Sequence, residues 1–460
     1  MKSDVIIVGA GPAGIFSALE LAENTKLDIL MLDMGPDIDQ RKCPASRGLG
    51  CINCDPCSLL SGWGGAGAFS DGKLTLSTEV GGWLDEYCGK QKLAEHIRYV
   101  DGTYLKFGAS QHLYGTDSEK IEEIKRKASF AGLKLIPQTL RHMGSEKCAE
   151  VLRRMRRHLK DRVEVRTRTE VKGILIENGG LKGVETTSGE KMFAKYVVLA
   201  PGRSGAEWLK LEAQSLGLRT LNNPVDVGIR VEVRASIMQE LTDVLFDPKF
   251  IYFSKSFDDQ VRTFCVVPQG EVITESYDGI LTVNGQGYAE KKTENTNFAL
   301  LVSTSFTEPF KEPIAYGKYL ARLTNLLSGC VIVQRLGDFE LGRRSTEERI
   351  KRSVVVPTLR MATPGDLSFA LPYRYVVDLR EMLQALDQIA PGIHSKDTLL
   401  YGVEVKFYSS RLDLSKCLEA KIHNLFTIGD GAGVTRGLVQ ASVSGVMVAK
   451  EIIKREQQLN

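Results

Sequence analysis

The sequence predicts an α/β chain in which an open parallel-sheet domain is assembled from separated segments and a mixed-sheet domain is inserted into it. Three observations predict this. A strand, a glycine turn, a helix and a second strand follow one another over residues 4–33. A strand, a Gly-Asp break and a small-residue helix run from Asn424 to Ile453. Between them, from Asn222 to about Pro372, "VDVGIRVEV", "VRTFCVV", "GILTVNG" and "FALLVST" all have strand character.

Composition narrows the class before any motif does. The chain has 460 residues, 43% apolar and 25% charged, which is ordinary for a globular protein of two or three domains. Sixty basic residues face fifty-seven acidic ones, a balance that argues against a nucleic-acid partner. The basic run Arg153-Arg154-Met155-Arg156-Arg157 lies in a helical pattern, with Val151, Leu152, Met155 and Leu159 on its apolar side. No signal-like start and no apolar run of about 18 residues is visible, so a cytoplasmic protein without a membrane partner is expected.

The first element is "DVIIV" (Asp4–Val8), a short buried strand. "GAGPAG" follows: Gly9 permits the turn, Gly11 admits a pyrophosphate to the backbone, and Gly14 lets the helix pack on the strand. Pro12 and Ala13 open that helix, whose unpaired amides and dipole favour phosphate. The second strand, "LDILMLD", ends at Asp33, placed to accept ribose hydroxyls. This unit predicts dinucleotide binding without separating NAD from FAD.

The far end separates them. After the strand Leu425–Ile428 come Gly429 and Asp430, then a helix from Gly437 to Ile453 with Ala441, Gly445 and Ala449 spaced for close packing. This resembles the second FAD motif of the glutathione-reductase and hydroxybenzoate-hydroxylase folds. The resemblance implies Asp430 as ligand of the ribityl chain and the amides of Gly437, Leu438 and Val439 facing the flavin ring. "YVVLAPGRSG" (Tyr196–Gly205) resembles the strand-then-"ATG" segment of those folds, with Ala200 and Gly202 in place and Pro201 where threonine is usual. No second strand–GxGxxG–helix unit is visible, so a dedicated NAD(P)H domain is not expected.

"SGWGGAGAFSDGKL" adds a glycine-rich loop, where Gly64 and Gly65 allow close backbone approach and Ser70, Asp71 and Lys73 offer groups for phosphate, sugar or flavin edge. With "PQTLRHMG", "DVGIRVEV", "RTFCVVPQGEV", "NTNFALLV" and "YGVEVKFY", this stretch is similar to the largely uncharacterised FAD-dependent dehydrogenase family of bacteria and archaea, over nearly the full chain. The resemblance implies FAD and redox chemistry, and no particular substrate.

Four of nine cysteines, Cys43, Cys51, Cys54 and Cys57, fall within fifteen residues. In a reducing compartment such a cluster points to metal or redox chemistry. Cys51, Cys54 and Cys57 resemble the [4Fe–4S] run of bacterial ferredoxins, except that the Cys-Pro precedes the triplet here. Zinc and a redox thiol pair are the alternatives. A chain without an NAD(P)H unit needs another source of electrons, which points to a low-potential donor protein.

For proton handling the candidates are Glu404 and Lys406 in "YGVEVKFY", two residues apart and so on one face of a strand that leads toward Gly429-Asp430. Arg230, Arg343 and Arg374 are candidate clamps for an anionic substrate, and His142 is ambiguous. The expected function is FAD-dependent oxidation or reduction of a small molecule. A flavin-dependent nucleic-acid modifier and an electron-transfer subunit are the alternatives. The expected division is an FAD-binding domain from 1–80, 141–215 and 395–460, a helical segment 81–140, and a substrate domain 216–394.

Overall fold

The computed structural model describes residues 2–44, 52, 54–221, 224–277, 279–288, 290–304, 306, 312–406 and 411–459. The chain forms two compact units: Met1–His112, Arg141–Asn223 and Ser409–Asn460 make the first, Leu113–Leu140 and Pro224–Tyr408 the second.

In the first unit β1 (Lys2–Val8) lies at the centre of a seven-stranded sheet. It pairs in parallel with β2 (Ile29–Leu32) on one side and with Lys191–Leu199 on the other. Glu164–Arg166 and Leu425–Thr427 extend the parallel part. The strands are aliphatic runs, as a parallel sheet covered on both faces requires: Val5, Ile6 and Ile7 are fully buried. Helix α1 (Pro12–Asn24) packs against the C-terminal helix Leu438–Leu459. A side chain at Gly445 would lie 2.1 Å from the carbonyl oxygen of Ala13, so the small-residue spacing read from the sequence serves a backbone-to-backbone crossing. The basic run sits in the helix Gly144–His158, with Val151, Leu152 and Met155 buried and Arg153, Arg154 and Arg157 exposed.

The second unit is an eight-stranded sheet whose order runs 363–364, 332–335, 399–406, 225–234, 295–304, 260–267, 249–253, 134–136, nearly all antiparallel. On the central strand Val225–Arg234, Val225, Val227, Ile229, Val231 and Val233 join the apolar core beneath helices such as Ala235–Leu245 and Tyr373–Asp387. The opposite face carries Asp226, Arg230 and Glu232, all within 1% of complete burial.

Two divisions differ from the sequence reading. Residues 81–140 are not one segment: helix Lys90–Lys106 belongs to the first unit, whereas helix Ser118–Phe130 and strand Lys134–Ile136 belong to the second, the strand closing its sheet edge against Lys249–Ile251. "YGVEVKFY" is not part of the first unit's closing segment. Strand Leu399–Lys406 is buried along its whole length and pairs with 225–234 and 332–335 inside the second sheet. Its aliphatic residues, interrupted by Gly402, Glu404 and Lys406, read alike for either sheet, and only the partner strands decide between them.

Candidate functional site

The glycine turn stands at the carboxyl ends of β1 and Lys191–Leu199, where ligands of open α/β sheets bind. Gly9 adopts φ +107°, and a side chain there would lie 2.0 Å from the Ala200 carbonyl oxygen. At Gly14 it would lie 2.0 Å from the oxygen of Gly9. At Gly11 only Gly65 Cα, at 3.9 Å, is near, so this backbone faces open space. Gly11 caps α1 without a side-chain bond, and no acidic residue lies in the first turn with Pro12 and Ala13. An uncapped, acid-free helix start beside an open glycine fits a pyrophosphate.

The second glycine loop closes on this turn. Gly64 donates its amide to the Ala10 carbonyl at 2.7 Å, and a side chain at Gly65 would crowd Gly11 Cα at 3.0 Å. Gly67 is flanked by Pro12 and Leu438, so the loop lies between the starts of α1 and the C-terminal helix. Ser70, Asp71 and Lys73 have partners within the chain: Ser70 Oγ donates to the Gly67 carbonyl at 3.1 Å, and Lys73 Nζ lies 3.1 Å from Asp71 Oδ2. Buried Cys148 stands beside Ser70 and Asp71, and burial pushes its thiol up to about 12, which leaves it inert.

Asp430 accepts from Thr435 Oγ1 at 2.8 Å and from the Gly437 amide at 3.3 Å. Burial raises its carboxyl above the usual range, against the charges of Arg203 and Arg436. Gly429 meets Ala13, Gly431 packs on the Gly202 backbone, and Gly202 and Gly437 face open space. The helix then starts at Leu438, with no acid in its first turn and Val439 buried. Arg436 lies over the Trp83 ring at 4.6 Å. The segments that the sequence assigns to FAD therefore converge, and the uncapped start of α1 and the open glycines fit it, whereas the Gly437 amide expected at the flavin ring is bonded to Asp430. FAD, when bound, would be held by the turn at Gly9–Gly14, the loop at Gly64–Gly67 and the Gly429–Val439 segment.

One predicted ligand is placed differently. Asp33 is 8% exposed, and its carboxylate accepts the amides of Ala10 at 2.8 Å, Gly35 at 2.8 Å and Gly62 at 2.7 Å. Burial raises its carboxyl, against those three amides and the charge of Arg41. Arg41, which sequence reasoning missed, is buried among the same loops. Its only signal was an arginine two residues from a cysteine run.

Of the four clustered cysteines, Cys51 lies outside the described residues. Cys43 is buried, and Cys54 and Cys57 are half-buried free thiols. Cys54 Sγ accepts the Ser58 amide at 3.4 Å. Burial pushes the Cys57 thiol up, with the nearby Cys54 and Cys43 adding to it against the amides of Leu59 and Leu60. Among the described residues no group of three or more His, Cys, Asp or Glu is arranged to hold a metal ion. With Cys51 outside the described residues, the predicted four-cysteine set is not complete here, and no step is routed through a cluster or zinc.

Within the second unit, Glu404 and Lys406 lie 2.9 Å apart, both on the polar sheet face. Arg230 Nε donates to Glu404 Oε2 at 2.8 Å, and its other nitrogens reach the Cys265 carbonyl and the side chains of Asn297 and Asn284. Next along the strand, buried Glu232 accepts from Tyr401 Oη and Thr358 Oγ1, both at 2.5 Å, and from Asn295 Nδ2 at 3.1 Å. Burial raises this carboxyl against those bonds. Sequence reasoning missed Glu232 and Tyr401, although "DVGIRVEV" alternates charge with aliphatics. Arg343 and Arg374 are taken up by Asp338 and Asp259. Among the described residues no helix is long and apolar enough to cross a membrane.

A family model described as FAD-dependent protein, C-terminal domain-like, matches residues 225–407. An uncharacterized protein of Clostridium beijerinckii is 28% identical over 488 residues, covering 99% of this chain and 81% of the relative. Similar solved structures include L-proline dehydrogenase from P. horikoshii (15% identity, TM-score 0.43, 99% of this chain and 94% of that one). Glycine oxidase from Geobacillus kaustophilus is another (14%, TM-score 0.41, 99% and 95%). A family model described as FAD dependent oxidoreductase matches residues 4–265, more than half of the chain, and the protein belongs to that family.

Proposed function

We propose that this FAD-dependent oxidoreductase exchanges electrons with a small organic molecule, by oxidation next to a carbonyl or nitrogen or by reduction of an activated double bond. In this reading the second unit supplies the substrate's polar contacts and its proton. FAD, when bound, supplies the two-electron chemistry. The observation that carries the reading is the buried polar face of the eight-stranded sheet. Asp226, Arg230, Glu232, Glu404 and Lys406 are each less than a tenth exposed, while the same central strand's other face is aliphatic. Burying ions costs several kcal/mol each, so stability alone would favour aliphatic residues on both faces. Concentrated, paired ionisable groups of this kind mark functional sites. Glu404 and Lys406 are the proposed proton-handling pair, with Arg230 fixing the carboxylate. The proposed electron partner is a low-potential carrier, since the sequence shows one strand–GxGxxG–helix unit and no second.

The test is anaerobic mixing of FAD-loaded protein with L-amino acids, 2-hydroxy acids and, for the dithionite-reduced protein, 2-enoates. One class is expected to change the flavin absorbance rapidly. Glu404→Gln is expected to slow that change by about 10²-fold or more with FAD affinity unchanged. Rapid, saturable bleaching by NADH with no response to any of the three classes would overturn the reading, as would full speed in Glu404→Gln.

A further inference from the structure

Arg41 is 6% exposed, and its hydrogen bonds go to backbone carbonyls of one loop. Nε donates to Ser58 at 3.1 Å, Nη2 to Leu59 at 2.8 Å, and Nη1 to Trp63 and Gly65, both at 2.8 Å. Its guanidinium also stacks over Phe69, 4.9 Å from the ring centre. Asp33 holds the same loop by the opposite kind of group, accepting the Gly62 amide at 2.7 Å, and ties it to the first turn through Ala10. Each of the two side chains feels the other's charge.

A loop with glycine at 62, 64, 65 and 67 loses much chain entropy when it is fixed, and needs external bonds to hold one shape. Arg41 and Asp33 provide them from its carbonyl and amide sides. The loop so held donates Gly64 N–H to Ala10 and stands against Gly11, the open glycine of the turn. A carboxylate has about four acceptor sites, and three of Asp33's are filled by amides in a nearly closed environment.

We infer that Asp33 and Arg41 are positioning residues for FAD: a buried opposite-charge pair that shapes the Ser58–Gly65 loop onto the dinucleotide turn, with Asp33 committed to that loop and not to the adenosine ribose. The pair acts through the backbone that it holds. Arg41 thereby ties the start of the cysteine-rich stretch, two residues later, to the Ser58–Gly65 loop.

The test is titration of the apoprotein with FAD and with its adenosine-2′-deoxy analogue, followed by flavin fluorescence, for the natural protein, Asp33→Asn, Arg41→Lys and the double variant. Each single variant is expected to weaken both ligands by about ten- to a hundredfold, the scale for losing buried charge-assisted bonds. The ratio of the two dissociation constants is expected to be the same in all four proteins. The double variant is expected to be no weaker than the worse single one, because both changes release the same loop. A ratio that favours FAD in the natural protein and collapses in Asp33→Asn would make Asp33 a ribose ligand and overturn the inference. Additive losses in the double variant would overturn it too. Should Asp33→Asn fail to fold, Arg41→Lys decides alone: it keeps the charge but cannot span four carbonyls, and unchanged FAD affinity in it would defeat the proposal. No substrate or electron donor takes part, so failure here is separate from failure of the proposed function.

Discussion

The cofactor segments of the first unit and the polar sheet face of the second solve the placement of polar groups in opposite ways. The first works with backbone: Gly9, Gly11, Gly14 and Gly67 bring main chain together or leave it open, and its charged side chains, Asp33 and Arg41, serve to hold main chain in place. The second works with side chains: Arg230 bonds Glu404 and Tyr401 bonds Glu232 across strands, and Lys406 pairs with Glu404 along one strand. A backbone site tolerates almost no change at its glycines and is indifferent to much of the rest. A side-chain network tolerates coordinated change but not the loss of one member.

That difference gives the largest expected effect. Glu404→Ala leaves Arg230 fully buried without its carboxylate, a loss of about 3–5 kcal/mol in unfolding stability. Replacing both partners, Arg230→Met with Glu404→Gln, is expected to recover the part that Arg230 causes, because that part lies in an unpaired charge and not in the absence of a pair, while Lys406 still lacks its carboxylate. Urea unfolding of the two variants checks this. A double variant less stable than Glu404→Ala would show that the pair holds the sheet together, and the contrast between the units would weaken.

The same difference explains what was legible in the sequence. Gly9, Gly11 and Gly14 sit at fixed short spacings because the turn itself dictates them, and the parallel-sheet unit and a dinucleotide turn could be read from them, while the Gly429-Asp430 segment pointed to FAD. The network of the second unit joins Arg230 to Glu404 across 174 residues and Glu232 to Tyr401 across 169, and no local pattern encodes such pairings. Strand Leu399–Lys406 shows the limit well. Its buried character is evident, but its assignment to the second sheet depends on partners at 225–234 and 332–335. Asp33 shows another limit. Its place at the end of β2 suggests ribose, whereas its bonds depend on a loop 29 residues further on.

A middle-sized effect probes the first unit. Asp430→Ala removes the acceptor of the Thr435 hydroxyl and the Gly437 amide, and is expected to weaken FAD by roughly 1–3 kcal/mol while the apoprotein melts within a few degrees of the natural one. Gly11→Ala should separate the two quantities further. The space at Gly11 is open in the apoprotein, so stability should hold while FAD affinity falls at least tenfold, since the added methyl occupies the place where the pyrophosphate approaches. Equal FAD affinity in Gly11→Ala would remove this turn from the cofactor site.

The smallest expected effect concerns a buried acid of the second unit that lies outside the Arg230 network. Asp378, on helix Tyr373–Asp387, is fully buried, and burial, with the neighbouring Asp259 adding to it, pushes its carboxyl up to about 6. Asp259 bonds Arg374 at 2.8 Å, and Glu381 on the same helix accepts the amides of Lys255 and Ser256, so the 254–259 loop is held to the helix by several charged groups. An acid whose folded pKa lies above its unfolded value near 3.8 keeps its proton longer in the native state. Between about pH 4 and 6 the native form therefore binds more protons, and stability falls as pH rises through that window, then levels off. Asp378→Asn abolishes this fall. It should match or trail the natural protein at pH 4 and exceed it at pH 8, by no more than ~1.4 kcal/mol, the value of one pKa unit, because the two carboxyls share the titration. Thermal melts of both proteins across that range measure the difference. A difference that does not change with pH would mean that Asp378 is ionised throughout, with Arg374 compensating its charge as well as that of Asp259, and this corner would then follow the paired-ion rule of the Arg230 network.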